Sequence, residues 1–292
     1  MTRQYYPIQY FYSIVLLIII SCVKKDVKTE IQEDFCSNIH RNDSISLSSE
    51  LKDISELMKT KTGVYVLEDG GGALVTRAWL TAYAEKTIDI QYFIFSTDNV
   101  GLIACDYLIR AADRGVKIRI LVDDIMVDAD LDDILILDSH ENITIKVYNT
   151  GVNLGKNIFS KTKKFVSDFR DANQRMHNKT FIIDGKITIT GGRNIADEYF
   201  DYDHEYNFRD RDVLLLGKVT ESVEKSFSNF WSNPLSISIK DLSKEFPKNL
   251  DDPKRFDKLH QYACNPENFW PQIRNQIENL HKTFATIKNQ ML

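Results

Sequence analysis

Apolar residues recur along this chain with two periods that replace each other in turn. In "SSELKDISELMKT" a serine cap precedes Leu51, Ile54 and Leu57/Met58 at helical spacing. After the "EDGGG" turn, "ALVTRAWLTAYAEKT" has the spacing of an amphipathic helix and "IDIQYFIF" predicts a strand. "NVGLIACDYLIRAADRG" predicts a further helix, closed by Gly115. The series continues with a strand in "VKIRILVDD", a short helix in "DADLDDILILDSHEN" and a strand in "ITIKVYN". Strands that alternate with helices imply a largely parallel sheet covered on both faces. "MHNKTFIID" and "KITITGG", joined by a turn at Asp184-Gly185, predict instead a β-hairpin added to that sheet, which makes it mixed. "DVLLLG" is one more strand, and "TESVEKSFSNFWS" a helix ending near Pro234.

The two ends follow neither period. The run "YSIVLLIIISC" is too short to span a bilayer comfortably and fits the apolar region of a secretory signal, followed by Ser21, Cys22 and a polar stretch. Residues 1–22 therefore predict export, with Cys22 as the lipidated first residue of a mature lipoprotein; an uncleaved N-terminal anchor is the alternative, and both tether the chain to a bacterial envelope membrane. Residues 23–47 are polar and aperiodic, as a tether would be, and 48–234 form the folded body. Residues 235–292 read as a polar connector and an amphipathic terminal helix with Ile273, Ile277, Leu280, Phe284 and Ile287 on one face.

Length and composition add limits. A chain of 292 residues with 43% hydrophobic residues buries a sizeable core. Its net charge of −5 argues against a surface built to grip nucleic acid. With Cys22 lipidated, Cys36, Cys105 and Cys264 remain, at spacings that form neither a disulfide framework nor a zinc site; Cys105 reads as a buried helical thiol. Gln91, Asp98, Asp123 and Asp124 end or follow strands, where α/β sheets place functional groups, although caps and turns explain the acids as well. Lys156, Lys161, Lys163, Lys164, Arg170 and Arg175 form a basic stretch that either draws anionic head groups or is a solvated loop.

The chemistry concentrates in "RMHNKTFIIDGKITITGGRN". Strand alternation puts His177 and Lys179 on one face, their Cα atoms about 7 Å apart. An ammonium that close makes the imidazole a poor metal ligand and a good nucleophile toward an anionic centre, because it stabilises the negative charge that accumulates. Asp184 is a candidate to fix an imidazole tautomer. Gly191 and Gly192 would let backbone approach a phosphate, and Asn194 offers an amide to its oxygens.

His-x-Lys-x4-Asp followed by Gly-Gly-x-Asn resembles the HKD motif of the phospholipase D superfamily. The stretch "RMHNKTFIIDGKITITGGRNIADEYFDY" is similar to the first HKD region of bacterial cardiolipin synthases, closest to their C subtype, and the similarity runs over about residues 50–235. The resemblance implies an α/β/α sandwich of the phospholipase D type. It implies phosphatidyl transfer through a phosphohistidine at His177, with Lys179 and Asn194 on the phosphate oxygens, Asp184 supporting a histidine, and no metal; no cofactor is expected, and Arg175, the last of the basic stretch, is read beside these as a substrate-binding candidate near the phosphate. The implied substrate is phosphatidylglycerol at a membrane. Family members pair two such motifs, and this chain has one. It reads as the N-terminal half of a longer enzyme, as a homodimeric phosphodiesterase or nuclease, or as a phospholipid-binding module without turnover.

Overall fold

Gly70, Gly71 and Gly72, expected as a turn, form the first turn of a helix. Asp69 caps it, its side chain accepting from the Gly72 N–H, and a Cβ at Gly70 would fall 2.5 Å from the Phe200 backbone. Close packing of the helix start against Phe200 is the reason glycine stands there.

The structure, a computed structural model, describes residues 36, 44–123, 127–128, 131–150, 175–202, 205–243, 246–248, 250–271, 273–274 and 285–288. The signal and Cys22, most of the tether, Asp124, the basic residues from Lys156 to Arg170, and Ile277, Leu280 and Phe284 lie outside the described residues. In chain order the elements are β1 (Thr62–Leu67), α1 (Gly70–Tyr83), β2 (Thr87–Tyr92), β3 (Phe95–Ser96), α2 (Asn99–Asp113), β4 (Lys117–Asp123), β5 (Val127–Asp128), α3 (Leu131–Asp138) and β6 (Ile143–Tyr148). They continue with β7 (Thr180–Ile183), β8 (Ile187–Gly191), β9 (Asp212–Gly217), α4 (Thr220–Trp231), β10 (Ser236–Ser238) and α5 (Asp257–Ala263).

Eight strands form one sheet in the order β1-β9-β8-β7-β2-β4-β6-β10. The sheet is mixed, as expected, but its adjacent parallel pairs are confined to β2-β4-β6, where α2 and α3 supply the crossovers. The hairpin causes the difference. Asp184 and Gly185 have φ of +52° and +64°, the left-handed pair of a two-residue turn, which permits only antiparallel pairing of β7 with β8. β9, β1 and β10 then add antiparallel at the flanks. Alternate residues of the central strands, such as Ile88, Ile90, Ile118 and Ile120, face a large core with α1 and α2. Leu121, Ile182 and Met176 face a smaller one with Phe227 of α4. Helices thus cover both faces in an α/β/α arrangement.

The stretch after Pro234 is more than a connector. Ser236–Ser238 is the strand beside β6, and Ile273 and Ile287 are buried in the large core. Cys36 and Cys264 form a disulfide across 228 residues, a pairing that irregular spacing concealed because such a bond depends on where the folded chain brings two residues, not on their interval. Cys105 is a buried free thiol, as expected. Among the described residues no helix is long and apolar enough to cross a membrane.

Asp184 is a structural anchor in this fold. Its carboxylate accepts from the N–H groups of Glu85, Lys86 and Thr87 at 3.0, 2.7 and 2.9 Å, tying the hairpin turn to the entry of β2. Replacing Asp184 with Ala removes the acceptor of all three N–H groups and puts a methyl side chain at positive φ. Urea unfolding should show a loss of about 2 kcal/mol or more; a midpoint equal to that of the parent would contradict this role.

Candidate active site

His177 lies in the extended segment that leads into β7 and is exposed to solvent. Its ring rests on Phe93, with centroids 4.8 Å apart and planes inclined by 51°. Lys179, two residues on, is buried, with Nζ 3.3 Å from Nδ1 and 3.5 Å from Nε2 of the imidazole. The ammonium also donates to the His177 carbonyl at 3.0 Å and sits 5.6 Å from the Phe93 ring centroid. The same-face placement read from strand alternation therefore holds, with the lysine folded back beneath the histidine. The ammonium thus stands within hydrogen-bond distance of the imidazole nitrogens and puts a positive charge beside them.

Burial pulls the Lys179 pKa below the ordinary lysine value, while the charges of Asp210 and Asp212 act in the opposite direction. Both acids come from the approach to β9. Their carboxylates lie so close to the end of β8 that a Cβ at Gly191 would be 2.3 Å from Asp212 Oδ1, and one at Gly192 would be 2.4 Å from Asp210 Oδ1. The two glycines are thus needed for the approach of acids from within the chain. The Gly192 N–H already donates to the Arg211 carbonyl at 3.0 Å, which corrects the expectation that this backbone is open to a phosphate.

Behind the site is a buried charge network. Asp212 accepts from Arg77 NH2 at 2.8 Å and from the Arg193 N–H at 3.2 Å. Arg77 Nε donates to the Tyr92 hydroxyl at 3.1 Å. Burial opposes the Arg77 charge, but Tyr92 and Asp212 more than offset it and hold its pKa above the ordinary value. Arg193, the variable position inside Gly-Gly-x-Asn, donates to the carbonyls of Tyr199, Leu67 and Glu68. Asn194 is buried, its Oδ1 accepting from the Ile94 N–H at 3.0 Å, and its side chain also bonds the Tyr199 hydroxyl. The site strand, α1 and the strand ends around Phe93 are braced together by these groups.

The segment ahead of His177 is held just as firmly. Asp123, fully buried at the end of β4, accepts from Arg175 NH1 and from the Met176 N–H, each at 2.9 Å. Arg175 NH1 also donates to the Asn149 carbonyl at 3.2 Å. Arg175, expected near the phosphate, is therefore paired with a carboxylate of its own chain. Its job in this fold is to position the residue two places on.

The structure does not bring Asp184 to His177. The two sit near opposite ends of β2, Asp184 bonded at Thr87 and His177 against Phe93, and the six residues of β2 span about 20 Å. The tautomer-fixing role expected of Asp184 fails for that reason, and Lys179 is the only described hydrogen-bond partner of the imidazole nitrogens. Phe93, Arg77, Arg193, Asp210 and Asp212 were not singled out in the sequence. The one available signal was the pair of acids two residues apart in "FRDRDVLLLG", immediately before an apolar strand.

Residues 80–231, more than half of the chain, match the family described as "Cardiolipin synthase, PLD-like domain". The chain belongs to this phospholipase D-like family. An uncharacterized protein of Helicobacter pylori strain J99 is 35% identical over 235 residues, which are 79% of this chain and 46% of that protein. Cardiolipin synthase C of Escherichia coli K12 is 40% identical over 174 residues, 58% of this chain and 35% of that enzyme. The chain thus spans less than half the length of these curated relatives. Among solved structures, the phospholipase D family member Nuc of Salmonella typhimurium aligns over 61% of this chain and 98% of its own, at 16% identity and a TM-score of 0.43.

The electrostatics of Lys179 can be read directly. Competitive acetylation followed by mass spectrometry should place its titration midpoint below that of the exposed lysines. Asp210→Asn removes a charge that favours the ammonium, so the midpoint should move further down in pH; an unchanged or raised midpoint would contradict the assignment. Asp123→Ala leaves the half-buried Arg175 without this carboxylate and the Met176 N–H without its acceptor, and should cost about 2 kcal/mol or more in urea unfolding; a loss below about 1 kcal/mol would show that this pair does not hold the segment.

Proposed function

We propose that this chain supplies one half of a phospholipase D-type phosphatidyltransferase that moves a phosphatidyl group between two phosphatidylglycerol molecules, giving cardiolipin and glycerol. The observation that carries the reading is an exposed imidazole with a buried ammonium 3.3 Å from its nitrogen, on a rigidly braced strand entry. In the proposed reaction an imidazole nitrogen of His177 forms a bond to phosphorus and the bond from phosphorus to the leaving glycerol oxygen breaks. The hydroxyl of the second lipid then attacks phosphorus and releases the histidine, its proton passing to the group that had protonated the leaving glycerol oxygen. Lys179 stabilises the charge on the non-bridging oxygens, and Asn194 is the second candidate to hold them. No metal or other cofactor takes part in this proposal.

The leaving alkoxide needs a proton from a second acid. Among the described residues the other histidines are His140 and His260, which lie against Asp113 and Asp106 at 3.0 and 3.2 Å. Neither follows the His-x-Lys pattern. The counterpart imidazole in this reading comes from a C-terminal half of the kind that the longer relatives leave room for, or from a second copy of the chain across a two-fold axis. Export and anchoring through Cys22 belong to the same reading. The Cys36–Cys264 disulfide supports them, because such bonds persist in oxidising compartments outside the cytosol.

With phosphatidylglycerol labelled with ³²P in the phosphate, the active assembly should yield an acid-labile adduct on the peptide that holds His177. His177→Ala should yield none and should lower turnover about a thousandfold or more. Turnover that rises faster than linearly with the concentration of this chain would select the second copy; turnover that appears only on adding a fragment with another His-x-Lys-x4-Asp would select the C-terminal half. Metal-independent cleavage of DNA, lost in the same variant, would replace the lipid by nucleic acid. Lipid binding without any adduct would reduce the chain to a binding module.

A further inference from the structure

A cavity of about 660 Å³ lies on the α2 face of the sheet, and nothing in the reaction above uses it. Its walls are Leu102 and Ile109 of α2, Ile120 and Val122 of β4, Ile145 of β6 and Phe256 ahead of α5. Interiors are packed with few voids larger than a water molecule, so a space of this size in an apolar core is not a packing defect. It falls within the range of small-molecule sites.

The chemistry of the lining limits what can enter. The Tyr262 hydroxyl donates to Asn99 Oδ1 at 2.8 Å and so is engaged with the protein. Burial, with Asp106 and Asp133 adding to it, pushes the Cys105 thiol up to about 12, so this wall residue stays neutral and behaves as a small apolar group. With so few polar partners the interior suits neither ordered water nor a polar ligand. The mouth differs. Lys254, Arg255 and Lys258 stand there with Asp133 and Asp252. Arg255 is engaged with Ser139 Oγ at 2.8 Å and with the Asp252 carbonyl at 3.1 Å. Lys254 and Lys258 are exposed, and no ion-pair partner among the described residues holds them. An aliphatic body with an anionic head matches this division.

The cavity also adjoins the candidate active site through three consecutive residues. Phe93 carries the His177 ring, the Ile94 N–H holds Asn194, and Phe95 is a wall of the cavity. In extended chain, Phe93 and Phe95 lie about 7 Å apart. We propose that this cavity is a binding site for one acyl chain of an anionic phospholipid, with its apolar walls around the chain and Lys254 and Lys258 near the anionic end. The proposal takes its ligand class from the phosphatidyl-transfer reading, but its geometry stands apart from His177. The chain is that of the reacting lipid itself or that of a second lipid bound alongside.

The test uses the full-length chain and a lysophosphatidylglycerol with a diazirine on its single acyl chain, below its critical micelle concentration. Photolysis should place adducts on the peptides of α2, β4 and β6 that hold Ile109, Ile120 and Ile145, and unlabelled lysophosphatidylglycerol should displace them. Ile109→Trp, which fills the cavity, should lower the adduct yield at least tenfold. Leu102→Phe is the milder replacement if the first variant melts early by circular dichroism. Lys254→Glu with Lys258→Glu should weaken capture of the anionic probe about tenfold and leave a neutral monoacylglycerol probe unaffected. His177→Ala separates the two hypotheses: adducts that persist while turnover is lost support both, and adducts without turnover in the parent protein support the cavity alone. A probe that bridges the His177 peptide to a cavity peptide, through its phosphate at one end and its acyl chain at the other, would identify the reacting lipid as the source of the chain, and cavity adducts without such a bridge a second lipid. Adducts confined to exposed residues such as Leu57 or Phe246, or a yield that the filled cavity leaves unchanged, would overturn the proposal.

Discussion

Two buried carboxylates decide where His177 stands. Asp123, at the end of β4, holds the guanidinium of Arg175 and the N–H of Met176, and so fixes the backbone immediately ahead of the histidine. Asp212, at the start of β9, holds Arg77 of α1 and the N–H of Arg193, and fixes the turn that leads to Asn194. A charge removed from water is expensive to leave unpaired, so each carboxylate forces its partners into one arrangement. The histidine itself needs no such restraint. It is exposed because its neighbours on both sides are bound inward.

That arrangement separates two tasks which the motif writes as one string. His177 and Lys179 serve the open end of the site, where an imidazole and a partly desolvated ammonium share a few ångströms. Asp184 serves the closed end, where three backbone N–H groups of the entry to β2 need an acceptor and the left-handed turn needs a residue that tolerates positive φ. The strand between them converts a sequence interval into a spatial separation. Within the described residues Asp184, though part of the same pattern, holds the hairpin that follows the histidine and does not reach the imidazole.

The C-terminal stretch extends the same logic to the far flank. β10 pairs with β6, the Cys36–Cys264 disulfide joins the two ends of the described chain, and the residues leading into α5 close over the apolar face of α2 and β4. They cover that face without filling it. The space that remains has Phe95 in its wall, two residues beyond the Phe93 that carries the His177 ring.

The order of α1, β2, α2, β4, α3, β6, β7, β8, β9 and α4, the hairpin, and the pairing of His177 with Lys179 were legible in the sequence, because each rests on intervals of two to four residues that strand or helix geometry translates directly into space, whereas the edge strands β1 and β10 were not read. The family could be read for the same reason: its motif is a local string. Long-range encounters decided the rest. Asp123 meets Arg175 across 52 residues, Arg77 meets Asp212 across 135, and Cys36 meets Cys264 across 228. No periodicity reports such meetings, since burial and partner choice depend on which strands become neighbours. Gly191 and Gly192 show the limit most clearly: the sequence announced that something must come close to them, and only the packed sheet determined that it was the chain's own carboxylates.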